Sequence, residues 1–236
     1  MANLKQTTKQ PTVALFDLDY TLISADCTAH WLRFMLTRSW RRKLLIIALL
    51  PFIHLANKLN VKLAVRNSLY LWAATVGLGY NKTLKLRRKA ARFVIEQKRV
   101  SVFPQGRQAL EWHRQQGHQI IVITGALRWL ARDICRALEI EYDVLLGSSD
   151  KAYLGGRVSD VFCYQENKVA LLQGGGYLAD AQVRYGYSDS AADIPLLQIC
   201  QHRFLVNPKP KCYDRFKSVF GDSAITLYWA TERTII

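Results

Sequence analysis

Two aspartates one residue apart follow a short apolar run near the start of the chain. The run Val13-Ala14-Leu15-Phe16 predicts a buried strand, so Asp17 and Asp19 lie where that strand ends. Side chains at such spacing on extended backbone point the same way, and carboxylates that close repel each other unless a cation or a shared proton offsets them. Strand ends are also where ligands bind in open α/β sheets. An isolated Asp-x-Asp is common in solvated turns, so only other motifs of the chain can indicate whether this pair belongs to a functional site.

Three further polar groups follow in a fixed order. The strand pattern 119–123 ends in Thr124-Gly125, Lys168 precedes the helical pattern 169–172, and the strand pattern 184–187 leads into Ser188-Asp189-Ser190-Ala191-Ala192-Asp193. Acids and a lysine scattered over turns would explain any one of these groups but not four in this order. Together with Asp17 and Asp19, they resemble the four motifs of the haloacid dehalogenase-like phosphohydrolases.

The resemblance implies a catalytic role for each motif. Asp17 is implied to be a nucleophile that forms an aspartyl-phosphate, and Asp19 to be the general acid and base. Thr124, Gly125 and Lys168 are implied to bind the substrate phosphoryl group, with Thr124 and Lys168 stabilising its developing charge.

The same resemblance implies Mg²⁺ as the cofactor, because a phosphate dianion approached by a carboxylate needs a cation between them. Asp17, the backbone carbonyl of Asp19, and Asp189 would hold the metal, and Asp193 would support the metal shell through water or Lys168.

Two positions depart from the family pattern. Tyr20 stands where relatives often have Gly or Ser, and Ala192 stands where the last motif often has Asn. The acidic residues are retained, so the loss of the Asn puts one phosphate or water contact in doubt and leaves the metal ligands in place.

The fold class follows from alternating strand and helix patterns, which indicate an α/β protein with a parallel sheet. We expect a haloacid dehalogenase-like Rossmannoid core at 11–23 and 101–236, and a mostly helical cap at 24–100 inserted after the first motif. A hairpin with a Gly-Gly turn is expected at 153–158. The predicted strands are 13–18, 119–124, 144–148, 183–187 and 203–206, and the predicted core helices include 126–138 and 165–173.

The positive charge of the chain is concentrated in the cap. The whole chain has 33 basic and 18 acidic residues, whereas the stretch from Arg33 to Arg107 has 17 basic residues and a single acid, Glu96. An apolar segment, 44–56, lies within this stretch between the basic groups 41–43 and Lys58. Nearly all of the net charge of +15 therefore belongs to the cap and its junction with the core.

The apolar segment allows two interpretations. It is too short for a spanning helix, which needs about 20 apolar residues. It is either a buried helix of the cap or a segment that contacts a bilayer, and insertion of 40–59 would be costly because of its charges. Flanking Lys, Arg and Trp residues favour contact with an anionic membrane surface.

The five cysteines and five histidines indicate no further chemistry. The cysteines lack any Cys-x-x-Cys spacing, so we expect neither a zinc site nor a disulfide framework. This pattern is typical of a protein in a reducing compartment. The histidines show no metal-ligand spacing. The cysteines are Cys27, Cys135, Cys163, Cys200 and Cys212.

Within the family, the chain looks like the phosphoserine-phosphatase-like branch and is most similar to bacterial phosphatidylglycerophosphatases C. The shared features are the Leu-rich segment ending at Pro51 and the stretches 68–72, 186–190, 195–197 and 200–203. This implies Mg²⁺-dependent removal of phosphate from phosphatidylglycerophosphate, at the cytoplasmic face of a bacterial inner membrane. The implied partners are a phospholipid substrate and an anionic membrane surface, with no nucleic acid; the oligomeric state is left open.

Two other functions stay open. One is phosphoserine phosphatase or another small-monoester phosphatase, because Asp26 stands nine residues after Asp17, where phosphoserine phosphatases carry a Glu that binds the substrate ammonium. Asp26 could instead bind a glycerol hydroxyl, or cap the following helix. The other is a membrane- or polyanion-binding module without catalysis, against which the retention of both Asp17 and Asp19 argues. If the cap does not contact lipid, we expect the chain to be cytoplasmic.

Overall fold

The computed structural model describes residues 12–59, 61–96, 100–178 and 183–230. Its centre is a six-stranded sheet in which every neighbouring pair of strands is parallel. The strands are β1 Thr12–Phe16, β2 Gln119–Leu127, β3 Val144–Ser148, β6 Val183–Ser188, β7 His202–Val206 and β8 Ala224–Leu227. Their spatial order is β3-β2-β1-β6-β7-β8. The predicted α/β class with a parallel sheet is confirmed.

The five predicted strands are all present, and the sequence analysis missed β8. The residues of β1 are fully buried from Val13 to Phe16, which explains their continuous apolar run. The edge strand β8 has four residues, and Ile225 is exposed, so no buried run marks it in the sequence.

Helices connect the strands and cover the sheet. The core helices are α5 Pro104–Gln115, α6 Arg128–Ala137, α7 Glu166–Gly174, α8 Ile194–Gln198 and α9 Pro210–Phe220. The prediction that a helix starts at Ala126 was wrong, because 126–127 continue β2 beyond a register shift that starts after Thr124. Such a bulge inserts extra residues into a strand and prolongs it past the expected end.

Four helices lie between β1 and β2, in the segment predicted as the cap. They are α1 Cys27–Thr37, α2 Trp40–Lys58, α3 Leu63–Thr75 and α4 Tyr80–Glu96. Trp31, Met35 and Val94 from these helices share a buried hydrophobic cluster with Phe16 and Leu18. Helices α1 and α4 are thus packed against the end of β1 where Asp17 lies. The domain boundaries stay a prediction, and residues 11, 60, 97–99, 179–182 and 231–236 of those ranges lie outside the described residues.

A two-stranded hairpin joins the core to α3. It consists of β4 Asp150–Tyr153 and β5 Gly156–Ser159, and its turn is Leu154-Gly155, with φ of 41° and 71°. The predicted Gly-Gly turn was therefore one residue out of place. Gly156 lies in the strand, where an added Cβ would be 2.6 Å from the ring of Trp72.

Helix α2 is the least buried part of the cap. Ile53 is the one residue of this helix that is buried, so the interpretation of the apolar segment as a buried cap helix was wrong. The large apolar side chains that α2 and the following residue expose are Trp40, Leu44, Ile47, Leu50, Phe52, Leu55 and Leu59. Among the described residues, no helix is both long enough and apolar enough to cross a bilayer.

Candidate active site

The parallel sheet brings three of the predicted motifs to one edge. Phe16, the last residue of β1, is in register with Val122 of β2 and Tyr187 of β6. The amide of Asp17 donates a hydrogen bond of 3.0 Å to the carbonyl of Tyr187, which extends the ladder by one step. Because the strands run in the same direction, the residues that follow these positions meet at the carboxyl edge of the sheet.

Lys168 connects two of the motifs directly. It lies in the first turn of α7, is 2% exposed, and donates to Asp17 Oδ1 at 2.7 Å and to Asp193 Oδ2 at 2.8 Å. Ser188 Oγ also donates to Asp193 Oδ2, at 2.7 Å. The lysine is thus fixed between the nucleophile candidate and the last motif.

Negative charge exceeds positive charge in this buried cluster. Burial raises the pKa of Asp17, Lys168 lowers it in part, and the carboxylates of Asp193 and Asp189 raise it further. Burial lowers the pKa of Lys168, but Asp17 and Asp193 raise it more, so it ends above its ordinary value. Asp17 binds its proton more tightly than usual chiefly because it is buried, and Lys168 does so because two carboxylates contact it.

Asp189 is the second carboxylate with a strongly shifted pKa. Burial and Asp193 raise the pKa of Asp189 to about 6, although Lys209 and Lys168 oppose the rise. Its amide donates a 3.0 Å hydrogen bond to Thr21 Oγ1, which ties the last motif to the first. Uncompensated buried charge is costly, so the cluster favours binding of an additional cation.

The donor set suits a hard cation that retains water and phosphate ligands. Among the described residues, no group of three or more His, Cys, Asp or Glu side chains is arranged to hold a metal. Asp193 is already engaged by Lys168 and Ser188, which leaves Asp17 and Asp189 as carboxylate donors. Mg²⁺ is commonly bound by one or two carboxylates together with substrate phosphate, so these residues fit it.

Asp19 projects from a tight loop after β1. The amides of Thr21, Leu22 and Ile23 all donate to the carbonyl of Leu18, which folds the loop back on itself. Asp19 Oδ1 accepts a 3.0 Å hydrogen bond from the amide of Cys27. Burial and the nearby Asp26 raise the pKa of Asp19 to about 7, although the Cys27 hydrogen bond opposes the rise.

Tyr20, which departs from the family pattern, lies in the same loop. Its φ is 59°, in the left-handed region where glycine has no steric cost. The Tyr20 ring lies 4.4 Å from Lys209 Nζ, and this nitrogen lies 4.0 Å from Asp189 Oδ2. The sequence analysis missed Lys209, although its position after the end of β7 places it at the same edge of the sheet.

Thr124 and Gly125 lie within the bulged part of β2. Thr124 is fully buried, and its Oγ1 accepts a 3.0 Å hydrogen bond from the amide of Ala126. The carbonyl of Gly125 accepts from Ser148 Oγ at 2.7 Å. The bulge therefore fixes the threonine hydroxyl through local backbone contacts.

Asp26 has the structural role that the sequence analysis left open. Its Oδ1 accepts a 2.8 Å hydrogen bond from the amide of Ala29 and caps the start of α1. Asp26 also lines a cavity of about 300 Å³ that contains Asp19 and Gly125 at the core and residues of α1 and α3 at the cap. The cap thus encloses a space beside the carboxylate of the predicted general acid.

Comparison with known proteins identifies the family. A model of the haloacid dehalogenase-like hydrolases matches residues 14–198, which is most of the chain. The chain belongs to the haloacid dehalogenase-like hydrolase family. The match contains Asp17 through Asp193, in agreement with the resemblance seen in the four motifs.

Solved structures share the family fold. A protein of unknown function from Bordetella pertussis Tohama I is 21% identical and has a TM-score of 0.71, over 92% of this chain and 99% of that chain. A substrate-bound phosphoserine phosphatase is 18% identical with a TM-score of 0.55, over 92% of this chain and 93% of that chain. A phospho-aspartyl intermediate analogue of phosphoserine phosphatase is 18% identical with a TM-score of 0.54, over 93% of this chain and 94% of that chain.

The family and these neighbours support the prediction that the protein is an enzyme of the phosphatase class. The structural likeness shows that the chain shares its fold with phosphoserine phosphatases. The resemblance to phosphatidylglycerophosphatases C stays a prediction from the sequence.

Proposed function

We propose that this haloacid dehalogenase-like hydrolase is a Mg²⁺-dependent phosphomonoesterase that acts through an aspartyl-phosphate on Asp17. The observation that carries the proposal is the contact of Lys168 with both Asp17 and Asp193. A lysine fixed beside a carboxylate nucleophile provides positive potential where the charge of the transferring phosphoryl group develops. Mg²⁺, held by Asp17, the Asp19 carbonyl and Asp189, would supply charge neutralisation when bound.

The chain's own residues divide the reaction into two steps. In the first, an Asp17 carboxylate oxygen attacks phosphorus while Asp19 gives a proton to the departing alcohol oxygen. In the second, Asp19 takes a proton from water, whose oxygen attacks the same phosphorus and releases phosphate from Asp17. Thr124, Gly125 and Lys168 bind the phosphoryl oxygens, and Asp193 holds Lys168 in place.

The proposed substrate is a phosphomonoester of an anionic lipid, of which phosphatidylglycerophosphate is the one we favour. Helix α2 supports this because Leu44, Ile47 and Phe52 are each more than half exposed beside basic residues. An apolar helix face with flanking Lys and Arg residues is typical of segments that lie in the lipid interface. The proposal therefore includes a cap at 24–100 that contacts an anionic membrane surface, at the cytoplasmic face of a bacterial inner membrane.

A small phosphomonoester is the second candidate. It is favoured by the fold shared with phosphoserine phosphatases and by the position of Asp26 at the cavity. The absence of basic residues from the described lining of that cavity speaks against a substrate with a carboxylate, such as phosphoserine.

The test is phosphate release with Mg²⁺ from three substrates: phosphatidylglycerophosphate in mixed micelles, phosphoserine and an aryl phosphate. We expect the lipid to have the highest kcat/KM, and Asp17→Asn to be inactive on all three. Preference for phosphoserine would retain the phosphatase and remove the lipid assignment. Activity of Asp17→Asn equal to that of the wild type would overturn the catalytic proposal and favour a binding module.

A further inference from the structure

Two residues that line the cavity beside Asp19 each carry a buried polar atom that has no hydrogen-bond partner among the described residues. They are Thr28 Oγ1 and Trp31 Nε1, both on α1 and both in residues that line the cavity. Trp31 as a whole is 1% exposed. Buried polar groups in proteins are nearly always hydrogen-bonded, so unpaired ones beside a cavity indicate atoms that pair with a ligand.

The position of the cavity specifies which part of a ligand reaches these atoms. Asp19, the proposed proton donor to the departing oxygen, lies at its core end together with Gly125. The alcohol released from the phosphate must occupy the space next to its proton donor. Thr28 and Trp31 line the same cavity as Asp19, so they lie where a leaving group would be bound.

The charge of the lining restricts that leaving group. Of the described residues that line the cavity, none is Lys, Arg or His, and the charged ones are the acids Asp19 and Asp26. A carboxylate on the leaving group would face these acids without a cation. An ammonium group offers only donors, and the indole N–H of Trp31 is itself a donor with no acceptor function.

We propose that Thr28 and Trp31 are specificity-determining residues that bind a hydroxyl oxygen on a neutral, hydroxyl-bearing alcohol leaving group, such as a glycerol unit. This rests on the proposed phosphatase function and names the chemistry of its leaving group. Trp31 Nε1 donates to the hydroxyl oxygen, and Thr28 Oγ1 donates to it or accepts its proton. Apolar neighbours of the cavity, Leu32, Leu71 and Phe162, contact the carbon skeleton.

The test compares soluble esters that differ in their hydroxyl groups. Hydrolysis of glycerol 1-phosphate, 1-propyl phosphate and phosphoserine is measured with Mg²⁺ for the wild type and for Trp31→Phe and Thr28→Val. We expect the wild type to prefer glycerol 1-phosphate over propyl phosphate by about tenfold or more in kcat/KM, as sites built to bond a hydroxyl do. Each variant should lower kcat/KM for glycerol 1-phosphate by about fivefold to tenfold and leave propyl phosphate within about twofold, since one neutral hydrogen bond is lost.

Matched controls separate recognition from folding. Thr37→Val removes a hydroxyl from the same helix outside the cavity, where it donates to the carbonyl of Arg33, and should leave the ester ratio unchanged. Thr28→Ser keeps the hydroxyl and should retain the preference. Equal loss of both esters in Trp31→Phe and Thr28→Val, or preference for phosphoserine, would overturn the inference.

A binding measurement distinguishes failure of this inference from failure of the proposed function. Calorimetry of glycerol 1-phosphate and propyl phosphate with each variant requires no turnover. If no ester is hydrolysed and the wild type still binds glycerol 1-phosphate more tightly in a Trp31-dependent way, the leaving-group assignment stands and the phosphatase proposal fails. If neither hydrolysis nor binding discriminates the two esters, this inference is wrong.

Discussion

The buried side chains of the candidate active site carry more negative than positive charge. Asp17, Asp189 and Asp193 are all nearly buried, and Lys168 contacts two of them. Burying such a cluster without a further cation costs folding free energy, and the raised pKa values of Asp17 and Asp189 express that cost. A bound divalent cation should therefore stabilise the protein as well as support catalysis.

Asp189→Asn tests the metal assignment. We expect the Mg²⁺ concentration for half-maximal activity to rise at least about tenfold, because one of two carboxylate donors is lost. Without metal, the variant should unfold at a higher temperature than the wild type, because a buried like charge is removed. Titration of activity with Mg²⁺ and thermal unfolding in a chelator measure the two effects.

Asp222→Asn is the matched control, because Asp222 is exposed after α9. It should change neither the Mg²⁺ requirement nor the unfolding temperature. An unchanged Mg²⁺ requirement in Asp189→Asn would contradict the proposed ligand set.

Among the secondary-structure elements, the hairpin β4–β5 attaches the cap to the core. Thr75 Oγ1 accepts from the amide of Arg157 at 2.8 Å, and the Trp72 indole donates to the carbonyl of Leu154 at 3.1 Å. Two cap residues thus contact a hairpin that belongs to the core, which fixes α3 beside the cavity.

Leu154→Asn should stabilise this hairpin. Leu154 has a φ of 41° and is 73% exposed. Its left-handed conformation is unfavourable for leucine, and its side chain gains little from burial. Asn followed by Gly155 is the favoured sequence for such a turn, and we expect a gain of about 0.5–1 kcal/mol in the free energy of unfolding. Urea unfolding measures it, with Leu154→Val as the contrasting variant, which should lose stability because a β-branched residue fits this φ poorly.

The exposed face of α2 supports a prediction about membranes. Replacing Leu44, Ile47 and Phe52 together with Gln should weaken binding to vesicles that contain phosphatidylglycerol by about a hundredfold, since each exposed side chain gains about 1 kcal/mol on burial in lipid. Hydrolysis of a soluble aryl phosphate should be unchanged. Vesicle sedimentation and steady-state kinetics measure the two properties.

The control for this prediction is the double variant Val219→Gln, Ile225→Gln. It removes exposed apolar side chains from α9 and β8 and should leave vesicle binding unaltered. Equal binding by the α2 variant and the wild type would contradict the role of α2 as a lipid contact.

The stability of the whole molecule should depend on pH through His113. Its ring is fully buried, with nitrogens 2.7 Å from His118 Nδ1 and 3.0 Å from the Tyr187 hydroxyl. Burial, and then His118, lower the pKa of His113 from 6.5 to about 3. The folded protein therefore binds fewer protons than the unfolded chain below pH 6.5, so this contribution is complete above that pH and is lost as the pH falls toward 3.

The wild type should lose unfolding free energy when the pH is lowered from 7 to 5. We expect this loss to be about 1–2 kcal/mol smaller in His113→Gln. The comparison between proteins is needed because carboxylates with raised pKa values, such as Asp17, act in the opposite direction. Urea unfolding at both pH values measures the difference. His54→Gln, at an exposed position of α2, should follow the wild type; the same pH response in His113→Gln would rule out His113 as the cause.

The sequence alone determined the fold class and the family of this protein. Four motifs in fixed order predicted the carboxyl edge of the sheet and the family, because parallel strands bring the residues after each strand to one edge. Apolar runs predicted the buried strands, and only β8, a short edge strand, lacked that signal. The sequence also showed that the cap carries nearly all of the net charge.

Only the tertiary structure decided which of these residues have partners. The apolar pattern of residues 44–56 does not tell whether α2 is buried or exposed, because burial depends on what packs against the helix. The same limit applies to Trp31, a residue of α1 whose indole N–H has no partner among the described residues, because the cavity that it lines forms only when α1, α3 and β2 are packed together. Local patterns encode the elements, whereas hydrogen-bond satisfaction is a property of the assembled core.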